Sequence, residues 1–326
     1  MSKKLLGGIG IAAITLMGSM AFAQDYPTQT VRLIVPYAPG GQGDITARLL
    51  ADRLTPRLGQ TVIVENRPGA NGVLGTDVVV KADPDGHTLG LVVASHVLQR
   101  GLMSDLPYDP IEDVAPVTLT TRTEMVLTAT TTLPVNTLPE FVEYARERPG
   151  QLAYKSAGQG SNTHLFGAWF TEAAGLDMIH IPYSGSGASH PDIIAGVVHL
   201  GFDTVPSAGG LIDDEQLNLL AAAGSERMNR WPDVPTIAEA GADHGLAEFS
   251  AGSWAAVIAP AGTPDDILNM LYEEIAGILE EPEVIERFSS MGAVVAANTP
   301  EETAAIFREE EALYTDLIKR LDINLE

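Results

Sequence analysis

Three stretches of this 326-residue chain set glycines among hydroxyl, amide or histidine side chains. They are Tyr37, Ala38, Pro39, Gly40, Gly41, Gln42 and Asp44; then Ser156, Gly158, Gly160, Ser161, Thr163 and His164; then Tyr183, Ser184 and Gly185. Each leaves an apolar run and enters a helical pattern. At such a junction, free backbone N–H groups and the helix dipole converge on an anion. Glycine lets an oxygen approach several amides at once and accepts the positive φ that tight turns need. One such loop is an ordinary turn between strand and helix. Three in one chain, two of them lined with Ser, Thr or Asn, point to a binding site.

The same residue types allow other chemistry. Ser156 or Ser161 with His164 and Asp203 has the composition of a hydrolase triad, but neither serine stands in a GxSxG elbow. The seven histidines include no pair at i, i+4 and no HExxH run, so neither a metal nor a cofactor is expected. With no cysteine in the chain, thiolate chemistry, disulfides and a lipid-bearing cysteine are excluded. Several single residues carry two readings. Asp44 caps its helix or meets the ligand, and His164 bonds the loop backbone or donates to the ligand. Asp203 orients the loops or touches the ligand, and Tyr183 packs the wall or offers its hydroxyl.

The elements that must hold these loops are legible from periodicity. Residues 31–35 read as a buried strand, Asp44 as the cap of a helix bearing Ile45, Leu49, Leu50 and Leu54, and Pro56 with Gly59 as its end. A strand at 61–64, a helix at 72–82 and a strand at 88–93 complete a βαβαβ order, which implies a parallel sheet. Thr137 with Glu140 forms a capping box for a helix that stops at Pro149 and Gly150. A strand at 152–154, a helix bearing Leu165, Trp169 and Phe170, and a strand at 178–181 follow. Thr263 with Pro264, and Thr299 with Pro300 and Glu302, open two closing helices.

Read together, these pieces resemble one family. The run from Tyr26 and Pro27 through residues 31–41 to Asp44, Ala47 and Arg48 carries the likeness, with residues 64–70 and the turn Asp83, Pro84, Asp85, Gly86. It continues through residues 156–164, 181–185, Phe202, Asp203, 232–236, 239–241 and 259–264. The chain resembles the tripartite tricarboxylate transporter receptors, also called the Bug family. That likeness implies an α/β fold of the periplasmic binding type (type II-like), with parallel-rich sheets in two lobes and a ligand between them. The implied lobes are residues 24–123 plus 253–326, and residues 124–252. It also implies a small organic carboxylate (a di- or tricarboxylate or an aromatic acid) as ligand, a membrane permease as partner and no catalysis, the alternative being a ligand sensor that docks on a signalling partner. Carried over by motif, Tyr37 to Gln42 and Asp44 form the first wall beside a Ser95 and His96 loop. Ser156, Gly158, Gly160, Ser161, Thr163, His164, Tyr183, Ser184, Gly185 and Asp203 form the second. Members of the family frequently carry a basic residue where this chain has Ser184.

Bulk properties agree with export. Lys3 and Lys4 precede an apolar stretch that ends in Ala21, Phe22, Ala23, a secretory cleavage pattern, so residues 1–23 are expected to be removed. The apolar stretch is shorter than the roughly 20 residues of a membrane span. The formal charge of −24 disfavours nucleic acid and anionic membranes as partners. It does not disfavour an anionic ligand, because surface charge is screened over about 8 Å at physiological salt. A periplasmic monomer is expected. Micromolar affinity needs about 8 kcal/mol, which five or six donors at roughly 1.5 to 3 kcal/mol each can supply after ordering costs.

Overall fold

The computed structural model describes residues 26–37, 39–40, 42–183 and 185–323. The expectations for Ala38, Gly41, Ser184 and cleavage after Ala23 lie outside the described residues.

Strand β1 (Val31–Val35) leads into α1 (Gln42–Leu58), β2 (Val62–Asn66) into α2 (Val73–Val80), and β3 (Thr88–Val93) into α3 (Ser95–Leu102). Strands β4 (Val114–Thr123) and β5 (Met125–Thr130) follow almost without a break. Next come α4 (Leu138–Arg146), β6 (Leu152–Ser156), α5 (Asn162–Ala173), β7 (Met178–Pro182) and α6 (Ser186–Ile194). Then follow β8 (Leu200–Thr204), α7 (Val205–Asp213), β9 (Leu217–Ala222) and the short α8 (Ile237–Ala240). Strand β10 (Ser253–Pro260), α9 (Asp265–Leu279), α10 (Pro282–Ser290), β11 (Ala293–Val295) and α11 (Pro300–Arg320) close the chain.

These strands form two sheets, six-stranded in the order β11-β4-β10-β3-β1-β2 and five-stranded in the order β7-β6-β8-β5-β9. The chain changes sheet between Thr123 and Met125, and it is back in the first sheet at Ser253. The βαβαβ unit is parallel as expected, and so is the β7-β6-β8 group. Strands β4, β5, β9, β10 and β11 are antiparallel to their neighbours, so both sheets are mixed. A parallel neighbour requires a crossover helix. The direct passage from β4 to β5 between the sheets has none, and both strands pair antiparallel to their neighbours.

Alternation along each strand divides the core between two faces. Leu33 and Leu91 pack with Leu50 and Leu54 of α1 and Leu271 and Ile275 of α9. Ile34, Val92 and Ile258 face the other way, onto Val97 and Leu98 of α3 and Phe307 and Leu317 of α11. That second cluster runs on into the five-stranded sheet through Leu127, Phe166, Phe170 and Phe202. The ring of Phe166 lies 6.1 Å from that of Tyr314 on α11. The capping boxes at Thr137 and Thr299 are formed, and Thr236 with Glu239 makes a third.

Three local expectations are corrected. Helix α1 begins at Gln42, which puts Asp44 in its first turn instead of at its cap, and it runs through Pro56 to end at Leu58, directly before Gly59 with its φ of +67°, as expected of that glycine. The earlier start follows from Asp44 itself, whose carboxylate reaches back to the Gly40 N–H and draws the preceding residues into the turn. Ser95 and His96 are not a loop but the first residues of α3.

Candidate functional site

The C-terminal ends of β1 and β3 and those of β6, β7 and β8 all open onto helix N-termini, the parallel-strand edge where α/β folds place ligands. On the first wall, Asp44 organises the turn between β1 and α1. Its oxygens accept Gly40 N–H at 2.9 Å, Asn66 Nδ2 at 2.9 Å, and Arg48 at 3.1 Å and 2.9 Å from Nε and Nη2. Asn66, the last residue of β2, also donates to the Tyr37 carbonyl at 3.1 Å. The Arg48 guanidinium is the main reason the Asp44 carboxyl falls to about 2, with Gly40 and Asn66 assisting against burial. All of this carboxylate's accepting capacity is used within the wall.

Tyr37 is held in a similar way. Its hydroxyl lies 3.0 Å from Ser95 Oγ and accepts the Val93 N–H at 3.4 Å. Burial pushes its phenol up. The ring sits over Gly43 and Gly72, where a Cβ would lie only 3.4 Å and 3.2 Å from it. His96 is fully buried and turned away from the wall, with Nε2 2.7 Å from the Pro110 carbonyl and its ring against Phe307. Burial lowers it to about 4, so it is neutral. Gln42 donates from Nε2 to Thr123 Oγ1 at 2.5 Å, tying the start of α1 to the end of β4.

The loop after β6 is bound largely to itself. Ser161 caps α5 by accepting His164 N–H and donates to the Gly158 carbonyl at 2.7 Å. Thr163 Oγ1 accepts Ala157 N–H at 2.8 Å, and His164 Nδ1 accepts Gly160 N–H at 3.2 Å. Gly158 and Gly160 have φ of +140° and +70°, values that favour glycine. Ser156 Oγ is 2.7 Å from His180 Nε2, and the His164 and His180 rings stack at 3.8 Å. Burial, aided by His164, holds His180 at about 4, and burial lowers His164 as well. Tyr183 donates its hydroxyl to Asp192 Oδ2 at 2.7 Å.

Behind these loops lies a buried ion pair. Lys155 Nζ on β6 is 2.7 Å from Asp203 Oδ2 on β8, and both side chains are wholly buried. The lysine stem crosses Gly201, where a Cβ would meet Lys155 Cγ at 2.5 Å. His190 Nε2, from α6, stands 3.7 Å from Asp203 Oδ1 and 3.4 Å from Ser207 Oγ. Burial opposes ionisation of Asp203, yet His190 and Lys155 hold its carboxyl below the ordinary range. Neither Asp203 oxygen nor Lys155 Nζ makes a well-directed hydrogen bond.

A cavity of roughly 590 Å³ opens between the two walls. Gly40, Gln42, Ile45, Thr46 and Thr123 line one side, and Gly185, Gly187, Thr204, Pro206 and Ser207 the other; Phe288, Met291 and Ala293 complete it. Among the described lining residues there are four hydroxyls, one amide and no charged side chain. Such a lining suits a small molecule with carboxylate ends and an apolar middle. Of the residues expected from sequence, Gly40, Gln42 and Gly185 line this cavity. Pro39 and Tyr183 are not among its described lining residues; Asp44, Ser95, Ser156, Ser161, Thr163 and His164 hold the loops of the two walls in shape. The hydrolase constellation is not assembled, since Ser156 meets His180, and Asp203 meets Lys155 and His190.

Sequence reasoning missed Thr123, Gly187, Thr204 and Ser207 on the lining, and Lys155, His180 and His190 behind it. Asp203, Thr204, Val205, Pro206, Ser207 is a strand-to-helix junction that lacks glycine. A lysine within an apolar strand directly before a glycine loop was the available signal for the ion pair. A second hollow, of roughly 550 Å³, flanks the two crossing segments 122–125 and 250–254. Within it Glu310 accepts Trp254 Nε1 at 2.7 Å, and burial pushes its carboxyl up to about 7.

Residues 46–323 match the family model described as the tripartite tricarboxylate transporter family receptor. Protein BugT of Bordetella pertussis is 35% identical over 326 residues, which is 99% of each chain. Among solved structures, Rpa4515 of R. palustris with adipate is 31% identical with a TM-score of 0.80, over 92% of this chain and 100% of its own. MatC of Rhodopseudomonas palustris, with bound malate, is 32% identical with a TM-score of 0.77, over 90% and 100%.

Proposed function

This chain belongs to the tripartite tricarboxylate transporter receptor family, whose members are solute-binding receptors and not enzymes, and from that premise we propose that it captures a small dicarboxylate between its lobes and presents it to a membrane permease. The observation that carries this reading is the cavity between the two walls, roughly 590 Å³ in volume and lined by hydroxyls, glycine backbone and apolar side chains. Its shape accepts an acid with an apolar spine, and the bound adipate and malate of the two relatives are acids of that size. The start of α6 at Ser186 and that of α7 at Val205 bring free N–H groups to the lobe-two side, where a carboxylate is favoured.

In this reading residues 24–123 with 253–326 form lobe one, and residues 124–252 form lobe two. The change of sheet at Thr123 and Met125 and the return at Ser253 support that division. Two crossing segments allow hinge closure, which presents a new surface to the permease. Export with loss of residues 1–23 would place the receptor in the periplasm. Among the described residues no helix is long and apolar enough to cross a membrane.

Thermal unfolding of residues 24–326 with mono-, di-, tri- and aromatic carboxylates tests the reading. An acid at about 100 times its dissociation constant adds about 2.7 kcal/mol of stability, a rise of several degrees. A rise with dicarboxylates alone, with the acid recovered unchanged, is the expected result. Protein refolded from denaturant, and so free of any acid carried from the host, that responds to none of them would overturn it.

A further inference from the structure

The two sides of the cavity differ in chemistry. Lobe two brings glycine backbone, the hydroxyls of Thr204 and Ser207 and the starts of α6 and α7. Apart from Pro206, the large apolar lining comes from lobe one: Ile45 in the first turn of α1, and Phe288, Met291 and Ala293 around the α10–β11 turn. Phe288 and Ala293 belong to the core beneath α1 and α9, and Met291 packs against it. The patch is therefore the edge of that core, reaching the cleft through the half-buried Ile45 and Met291. The same turn is pressed against lobe two. Gly292 has a φ of +66°, and a Cβ there would lie 2.6 Å from Val205 and 3.2 Å from Pro206, the first residues of α7. Apolar surface and helix start are thus neighbours.

Resting on the dicarboxylate reading above, we propose that Ile45, Phe288, Met291 and Ala293 form an apolar subsite that selects the acid by its hydrocarbon spine. The receptor then takes straight, unsubstituted dicarboxylates of adipate length in preference to shorter or hydroxylated ones. One carboxylate sits at the starts of α6 and α7, and the methylenes behind it lie on the lobe-one patch. Each methylene moved from water onto apolar side chains tightens binding about fourfold. A spine hydroxyl in the same place gives up water and finds no partner among these four side chains, so it weakens binding. Polar groups on this side are partly engaged already. Gly40 N–H goes to Asp44 at 2.9 Å, and Gln42 Nε2 to Thr123 Oγ1 at 2.5 Å. The hydroxyls of Thr46 and Thr123 remain for the second carboxylate. Lobe one therefore reads the body of the acid more than its charge.

Calorimetric titration of residues 24–326, refolded from denaturant, with succinate, glutarate, adipate and malate tests the subsite. In the wild type, affinity should rise about fourfold at each methylene from succinate through glutarate to adipate, so that adipate binds roughly tenfold or more tighter than succinate. Malate, which is succinate with one spine hydroxyl, should bind at least about twofold more weakly than succinate. Met291→Gln exchanges a thioether for an amide of nearly the same length, and should shrink the ratio of adipate to succinate affinity to below about fourfold. Ile45→Thr, on the other element of the patch, should shrink it too. The melting temperature of each free variant shows that it is folded, and the wild-type series decides by itself if neither is. A wild-type series that is flat or favours succinate or malate, or a ratio unchanged in the folded variants, overturns the subsite and leaves the receptor reading intact. Failure of all four acids to bind removes the subsite and the dicarboxylate reading together.

Discussion

The two walls of the cleft solve one problem in different ways. Each must hold a loop, between a strand and a helix, that faces a ligand. The first wall does so with a carboxylate whose donors are all in place: Gly40, Asn66 and the forked Arg48 converge on Asp44. That arrangement is complete without any ligand, and half of it reaches solvent, since the Arg48 side chain is 53% exposed. The second wall closes its loop with hydroxyls and two stacked, neutral histidines, and keeps behind it an ion pair that is fully buried but poorly directed. A satisfied network makes a rigid frame, whereas an under-satisfied buried charge is costly to disturb and responsive to a new neighbour. The first wall is therefore held by a satisfied network, and the second rests on a buried pair whose charges are poorly directed.

The largest expected effect is on the second wall. Asp203→Ala strands Lys155 in the core, and should lower stability by about 3 to 5 kcal/mol in urea unfolding. Replacing both partners, Lys155→Met with Asp203→Leu, should return most of that loss, because two apolar groups need no compensation. Asp44→Ala should cost less, about 1 to 3 kcal/mol, since Arg48 can turn to water once its partner is gone. If Asp44→Ala proves the more damaging of the two, the contrast between the walls is wrong. Ser161→Ala, which removes the α5 cap, should cost about 1 kcal/mol.

Acid separates the walls with an effect that is absent at neutral pH. His180, lowered to about 4, stays neutral in the folded chain while the unfolded chain takes up its proton below about 6.5. Stability thus declines as pH falls from 6.5 towards 4, with buried His96, also lowered to about 4, contributing beside His180, and His180→Phe should lessen the decline by the share of His180. Asp44, depressed to about 2, acts lower on the scale. Its contribution is present above the ordinary carboxylate range and is lost as pH falls from about 4 to 2. Urea midpoints measured from pH 7 to pH 3 in the wild type and the two single variants resolve the two windows.

Local chemistry was the legible part of this chain. Capping boxes at Thr137 and Thr299 are written within four residues, and the βαβαβ order follows from periodicity and turns. The glycine loops announced where the walls lie. What escaped depends on partners distant in sequence. Strand β4 is rich in threonine, and its pairing with β10 and β11 joins segments more than a hundred residues apart. Lys155 is buried only because Gly201 leaves room for its stem and Asp203 receives its charge. His96 looked like a wall residue because it follows a strand end, and the first turn of α3 carries it round to Pro110. Thr204 and Ser207 reach the cavity from a junction without glycine, the very signal by which the other loops were found.

The central claim is that the cavity between these walls holds the acid, and one variant tests it most directly. Gly187 lines the cavity, and a Cβ built there meets nothing within 4 Å. Gly187→Trp therefore fills the space from the wall without forcing the backbone. Calorimetric titration with adipate and malate should show binding by the wild type and a loss of at least about tenfold in affinity in the variant, with the melting temperature of the free protein unchanged. Equal affinity in the two proteins would place the acid elsewhere and contradict the account.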